Sequence, residues 1–161
     1  MATVTLSFQA DEAELRRDLS EKPEAHLAGV LELTFFFMPV QLAIDGVQVL
    51  DLRNHPQGHL QLPLLGFCAD LNRAVEKIGP GVRVAGELAD GGELRFLEEG
   101  EKVKVWCTLN DRVTYATRLE LVAAARKFRD EVRDWLLKNV PALQTHEHWT
   151  KWFPGVSAYP Q

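Results

Sequence analysis

Two pairs of histidines form the most reactive pattern in this chain. His55 and His59 bracket Pro-Gln-Gly in LRNHPQGH, and His146 and His148 flank a glutamate in THEHW. Imidazoles in two close clusters are the donor type that zinc takes in three- or four-ligand sites, and such an ion would serve a small metal-dependent hydrolase. A helix would align His55 with His59, but Pro56 and Gly58 oppose one, so the pair is expected in a loop. The spacings match no zinc motif, and H-E-x-x-H is absent. Turn and surface histidines are the leading reading; an ion held by His55, His59, His146 and His148 is the alternative.

Nucleophilic catalysis has less behind it. Ser7 lies in an alternating segment, Ser20 in a polar stretch and Ser157 near the end of the sequence, and no G-x-S-x-G elbow is present. Cys68 in LLGFCADL and Cys107 in VKVWCTLN sit in apolar periodic segments, where a thiol behaves as a small hydrophobe and is a blunted nucleophile. Both are expected buried and free. The glycines of GPG and DGG build neither a P-loop nor a dinucleotide fingerprint, so nothing calls for a cofactor.

Carboxylates crowd residues 87–101: Glu87, Asp90, Glu93, Glu98, Glu99 and Glu101. At turns between short strands they are easily solvated, which opposes the raised pKa of a general acid. They read as hairpin tips that keep the surface soluble, or as an acidic surface that speeds docking onto a basic protein. Trp149, Trp152 and Phe153 recur at i, i+3 and i+4, so a short final helix could staple them into the core. Their other reading is an exposed aromatic anchor in an interface.

The elements that would carry these residues follow from periodicity. TVTLSFQ alternates as a strand with one wet face, and Asp11 opens a short charged helix that runs into a loop at Pro23. In FFFMPVQLAIDGVQVLDL, Asp45-Gly46 is a type I′ hairpin signal. It pairs Ile44 with Val47 and Leu42 with Val49 on one apolar face, and Pro39 marks a kink or an edge. Leu64, Leu65, Cys68, Leu71, Val75 and Ile78 make a helical stripe closed by Gly-Pro-Gly.

From Val82 onward the turn signals DGG, EEGE and ND separate short strands into an antiparallel meander. Thr117-x-x-Glu120 is a capping box for a long helix with Leu121, Val122, Ala125, Phe128, Val132, Trp135 and Leu136 on one stripe. Asn139 and Pro141 stop it. Its charged residues, among them Asp130 and Arg126, are expected to form a solvated face with ion pairs.

Together these elements predict one α+β domain over residues 1–161, a mainly antiparallel sheet (hairpin plus meander) with two principal helices packed on it. Residues 139–161 form a C-terminal extension. The chain is 46% apolar and 25% charged, with a net charge of −5, which fits a globular class and opposes phosphate backbones and anionic lipid. No segment reaches the roughly 18 apolar residues of a membrane span, and a cytoplasmic location is expected.

The stretches LAIDGVQVLDL, DGGELRFLEEGEKVKVWC and TRLELVAAARKFRDEVRDWLLKNVPAL, across residues 30–143, give the chain a pattern that resembles the small acidic immunity proteins encoded beside bacterial polymorphic toxins. The resemblance implies a non-catalytic protein that binds one toxin in the cytoplasm and occludes its active site. It transfers no site residues. The expected contact surface is Asp90, Glu93, Glu98, Glu99 and Glu101 with Trp149, Trp152 and Phe153, facing a basic toxin domain. A third reading is a self-associating module that buries the tail aromatics or an open sheet edge in a homo-oligomer.

Overall fold

The computed structural model describes residues 2–21, 36–50, 60–88, 92–110, 112–145 and 149–153. It is an α+β fold, and its strands divide into two antiparallel four-stranded sheets, one built around the hairpin and one from the meander.

The first sheet is organised by one long strand. β1 (Val4–Phe8) pairs antiparallel with β2 (Phe37–Ile44), Val4 opposite Ile44 and Phe8 opposite Val40. Between them, α1 (Glu12–Glu21) starts as expected, with Asp11 Oδ1 accepting the Glu14 amide at 3.0 Å. On the other side of β2 lie β3 (Val47–Gln48) and β4 (Leu60–Pro63), end to end. β2 alternates strictly, and Met38, Val40, Leu42 and Ile44 point into the core.

The turn between β2 and β3 has Asp45 at φ 51° and Gly46 at φ 81°, the double positive φ of a type I′ turn. Ile44 faces Val47, and the Val49 amide donates to the Leu42 carbonyl. The pairing is the one expected, but Val47 is 38% exposed: at the tip of a two-residue strand nothing covers it. Pro39 also departs from expectation, because it lies inside a strand flanked on both sides. Its carbonyl accepts the Gln9 amide, so its missing N–H would point at the end of the β1 ladder, where the loss of one donor is tolerated.

β4 leads directly into α2 (Leu64–Glu76), which buries Leu64, Leu65, Phe67, Cys68, Leu71 and Val75, with Ile78 just beyond its end. The meander follows as β5 (Arg83–Glu87), β6 (Glu93–Glu99), β7 (Lys102–Cys107) and β8 (Val113–Ala116) in that spatial order. Its inner face is Ala85, Leu94, Phe96, Val103, Val105, Cys107, Thr114 and Ala116, all buried.

α3 (Arg118–Asn139) opens on the complete capping box: Thr117 accepts the Glu120 amide and the Glu120 side chain accepts the Thr117 amide. Its stripe of Leu121, Ala125, Phe128, Val132 and Leu136 is buried. Phe128 meets Phe8 edge-on at 6.0 Å and Phe67 at 6.1 Å, so one ring ties α3 to both β1 and α2. On the outer side Asp130 pairs with Arg133 at 3.3 Å and Arg129 at 3.9 Å, instead of the expected Arg126. Spacings of three and four are equally available on a helix, and the chain took i, i+3.

The chain then forms a 3-10 helix (Pro141–Thr145) and a last turn, α4 (Trp149–Trp152). Leu143, Trp149, Trp152 and Phe153 join the same buried cluster as the rest of the core. Among the described residues no helix is long and apolar enough to cross a membrane.

Candidate interaction surface

The meander has a second face, turned to solvent. Strand register places Val84, Arg95, Trp106 and Val113 in one row across the sheet, and Leu97, Lys104 and Tyr115 in the next. Val82 lies just before β5 on the same side, and Glu99 opposite Lys102 ends the face at the β6–β7 turn. Val82, Val84, Val113 and Tyr115 are 48%, 42%, 47% and 42% exposed, while Leu97 and Trp106 are half-buried between them.

This surface exists because β8 is turned opposite to the usual pattern. Its larger residues, Val113 and Tyr115, face water, and its smaller ones, Thr114 and Ala116, face the core. Thr114 is tolerated inside because its hydroxyl donates to the Val105 carbonyl at 2.8 Å. Trp106 is outward for the same reason of phase, since Val103, Val105 and Cys107 take the inner positions of β7. Sequence reading missed these residues; the signal was there in KVKVWC and VTYA, where a bulky apolar residue falls out of phase with the core set.

Charges frame the apolar rows. The Lys104 ammonium stands 4.8 Å from the centroid of Trp106, and Arg95 pairs with Glu93 at 2.6 Å. The tip of β6–β7 turns at Gly100, φ 64°, and holds Glu98, Glu99 and Glu101, all exposed and with no ion pair among the described residues. Glu93, in contrast, is half-buried and already committed to Arg95.

Next to the tip lies a groove of about 250 Å³ between α2 and β5, lined by Asp70, Arg73, Ala74, Lys77, Val82, Arg83 and Val84. Arg73 reaches Asp70 at 3.3 Å, and Arg83 Nε donates to the Lys77 carbonyl at 2.8 Å. The groove carries three cations against one carboxylate, in a chain whose net charge is −5.

The other sequence candidates fare differently. Trp149, Trp152 and Phe153 are at most 1% exposed, and the Trp149 and Phe153 rings pack at 4.6 Å. This corrects their reading as an exposed anchor: the i, i+3, i+4 spacing served the core. Asp90, His55, His59, His146 and His148 lie outside the described residues. Among the described residues no group of three or more His, Cys, Asp or Glu side chains could hold a metal ion.

Both cysteines are free and buried. Burial pushes the Cys68 thiol up to about 12, against a smaller pull from the Arg129 guanidinium, and burial also raises Cys107, partly offset by a backbone hydrogen bond at Leu109. Neither is poised as a nucleophile at neutral pH.

Compared with known proteins, the chain matches no family model, no curated protein and no solved structure.

Proposed function

We propose that this chain is a specific protein-binding domain that meets a basic protein partner, acting as an immunity protein toward a cognate toxin in the way the sequence resemblance implies. The observation that carries the reading is the outward turn of Val113 and Tyr115 in β8, which with Val84, Leu97 and Trp106 gives an apolar, aromatic sheet face beside an acidic tip. Contiguous exposed apolar surface of this kind marks interaction sites, and aromatic residues are enriched at the centres of interfaces. The exposed carboxylates of Glu98, Glu99 and Glu101, unpaired among the described residues, steer a basic surface toward it and set the encounter rate.

The test pairs this chain with the protein encoded beside its gene. Surface plasmon resonance should give an association rate that falls with added salt and falls again in Glu98→Lys/Glu99→Lys/Glu101→Lys. Trp106→Ala and Tyr115→Ala should instead speed dissociation. A neighbour that is not toxic to cells, or a binding rate indifferent to both sets of changes, would defeat the reading.

A further inference from the structure

A flat sheet face is too small to hold a partner alone. Four strands at about 4.8 Å spacing and six residues of length cover roughly 400 Å² in projection, against about 800 Å² per side in a standard interface. A tight complex must therefore also use what borders the face. Two features border it, the acidic tip and the basic groove, and they are opposite in charge.

They are also neighbours. The Glu98 amide donates to the Gly79 carbonyl at 3.3 Å, which ties the tip to the loop between α2 and β5. That same loop leads into Val82, Arg83 and Val84 on the groove wall. Val82 and Val84 belong to the groove and to the outer face at once, so groove, apolar rows and tip form one continuous surface. Yet tip and groove do not satisfy each other within one copy: Glu98, Glu99 and Glu101 pair with no cation among the described residues, and Lys77 with no carboxylate.

We propose that two copies of this chain pair about a twofold axis that passes between the tip and the groove, so that the Glu98–Glu101 tip of each meets the Arg73/Lys77/Arg83 groove of the other. Adjacent patches of opposite charge suit a twofold contact, because an axis between them sets each patch on one copy against the other patch on the second. The apolar residues nearest that axis are Val82 and Val84, which line the groove and belong to the outer face. The net charge of −5 on each copy repels at long range, but salt screens that beyond about 8 Å under physiological conditions, while the tip and groove meet in contact. Pairing hides the carboxylates that a basic partner would meet, so dimer and partner complex compete for one surface.

Sedimentation velocity on the purified chain tests this, and a negative result leaves the partner reading standing because no partner is present. The wild-type chain is expected to sediment as a concentration-dependent dimer. Both Glu98→Lys/Glu99→Lys/Glu101→Lys and Arg73→Glu/Lys77→Glu are expected to be folded by circular dichroism and monomeric, with the dimer dissociation constant raised about a hundredfold or more, as like charges facing across an interface produce. An equimolar mixture of the two should recover the dimer mass, since each tip then faces a groove of opposite sign. Lys77→Glu mixed with Glu99→Lys repeats the test should the heavier variants unfold. A monomeric wild type, a dimer that survives either reversal, or a mixture that stays monomeric would overturn the proposal.

Discussion

The Asn72 side-chain amide donates across the α2–α3 interface to the Ala125 carbonyl at 3.2 Å, and within its own helix to the Cys68 carbonyl at 3.0 Å. Both acceptors are interior helix carbonyls that the helix ladder already serves, while Asn72 Oδ1 is buried without a partner among the described residues. The residue therefore carries a desolvation cost on one side and redundant bonds on the other. Asn72→Leu should hold stability within about 1 kcal/mol of the wild type or raise it. Asn72→Ala, which leaves a gap, should cost about 1–3 kcal/mol. Urea midpoints of the two variants decide it, and a large loss in Asn72→Leu would mean that the interhelical bond outweighs the orphaned oxygen.

What the sequence made legible was local. Asp45-Gly46, the Thr117–Glu120 box and the stripes of α2 and α3 are each set by residues within a few positions of one another, and each stands where it was expected. What it hid was set at long range. Leu60–Pro63 is too short to announce a strand by itself, and only pairing with Phe37–Val40 makes it one. The separation into two sheets depends likewise on which strands find each other. The outer face stayed hidden because β8 reverses the rule that the larger apolar set points inward.

The tail aromatics should behave as core. Trp152 is 1% exposed and lies against α2, so Trp152→Ala should destabilise the fold by about 3–5 kcal/mol. Trp149 Nε1 is buried with no acceptor among the described residues, so Trp149→Phe removes an unpaired donor and should cost much less than Trp152→Ala. Thermal or urea unfolding measures both. A Trp152→Ala variant of wild-type stability with weakened association would restore the anchor reading.

Phe128 is where three elements share one contact, through Phe8 on β1 and Phe67 on α2. Phe128→Ala should cost about 3–5 kcal/mol. Phe8 and Phe67 each meet that ring edge-on, so Phe8→Leu and Phe67→Leu should each lose less in the Phe128→Ala background than in the wild type. Double-mutant cycles give the coupling, on the order of 0.5–1.5 kcal/mol for each aromatic pair; additive losses would show that the rings pack independently.

The thiols report on opening of the fold. Cys68 and Cys107 are at most 1% exposed and both are shifted upward by burial, so Ellman's reagent should find no reactive thiol in the native protein and two in denaturant. Because the Cys68 thiol loses its proton only near 12, raising the pH to 9 should not expose it in the native fold. Any native labelling should follow the rate of unfolding, measured separately by dilution into urea. Fast labelling of Cys68 at pH 8 would mean that the α2–α3 interface opens locally.

Glu120 links the start of α3 to both its own cap and the beginning of the chain. Its carboxylate accepts the Thr117 amide at 2.8 Å and the Ala2 amide at 3.1 Å. The Thr117 hydrogen bond, chiefly, holds its pKa below the ordinary 4.5, with the Ala2 amide adding to the effect. A carboxyl whose folded value lies below its unfolded one binds fewer protons when folded, so its contribution is complete above 4.5 and is lost as the pH falls through the lower folded value. Glu120→Ala should therefore be less stable than the wild type at pH 7, and the gap in urea midpoint should narrow as the pH drops below 4.5. Thr117→Ala, which removes the other half of the box, should cost about 1 kcal/mol at neutral pH, and the part of that loss that comes from its side-chain hydrogen bond to the Glu120 carboxylate should fade as that carboxylate is protonated. A gap for Glu120→Ala that stays constant from pH 7 to pH 3 would show that the side chain acts through packing on the first turn rather than through its charge.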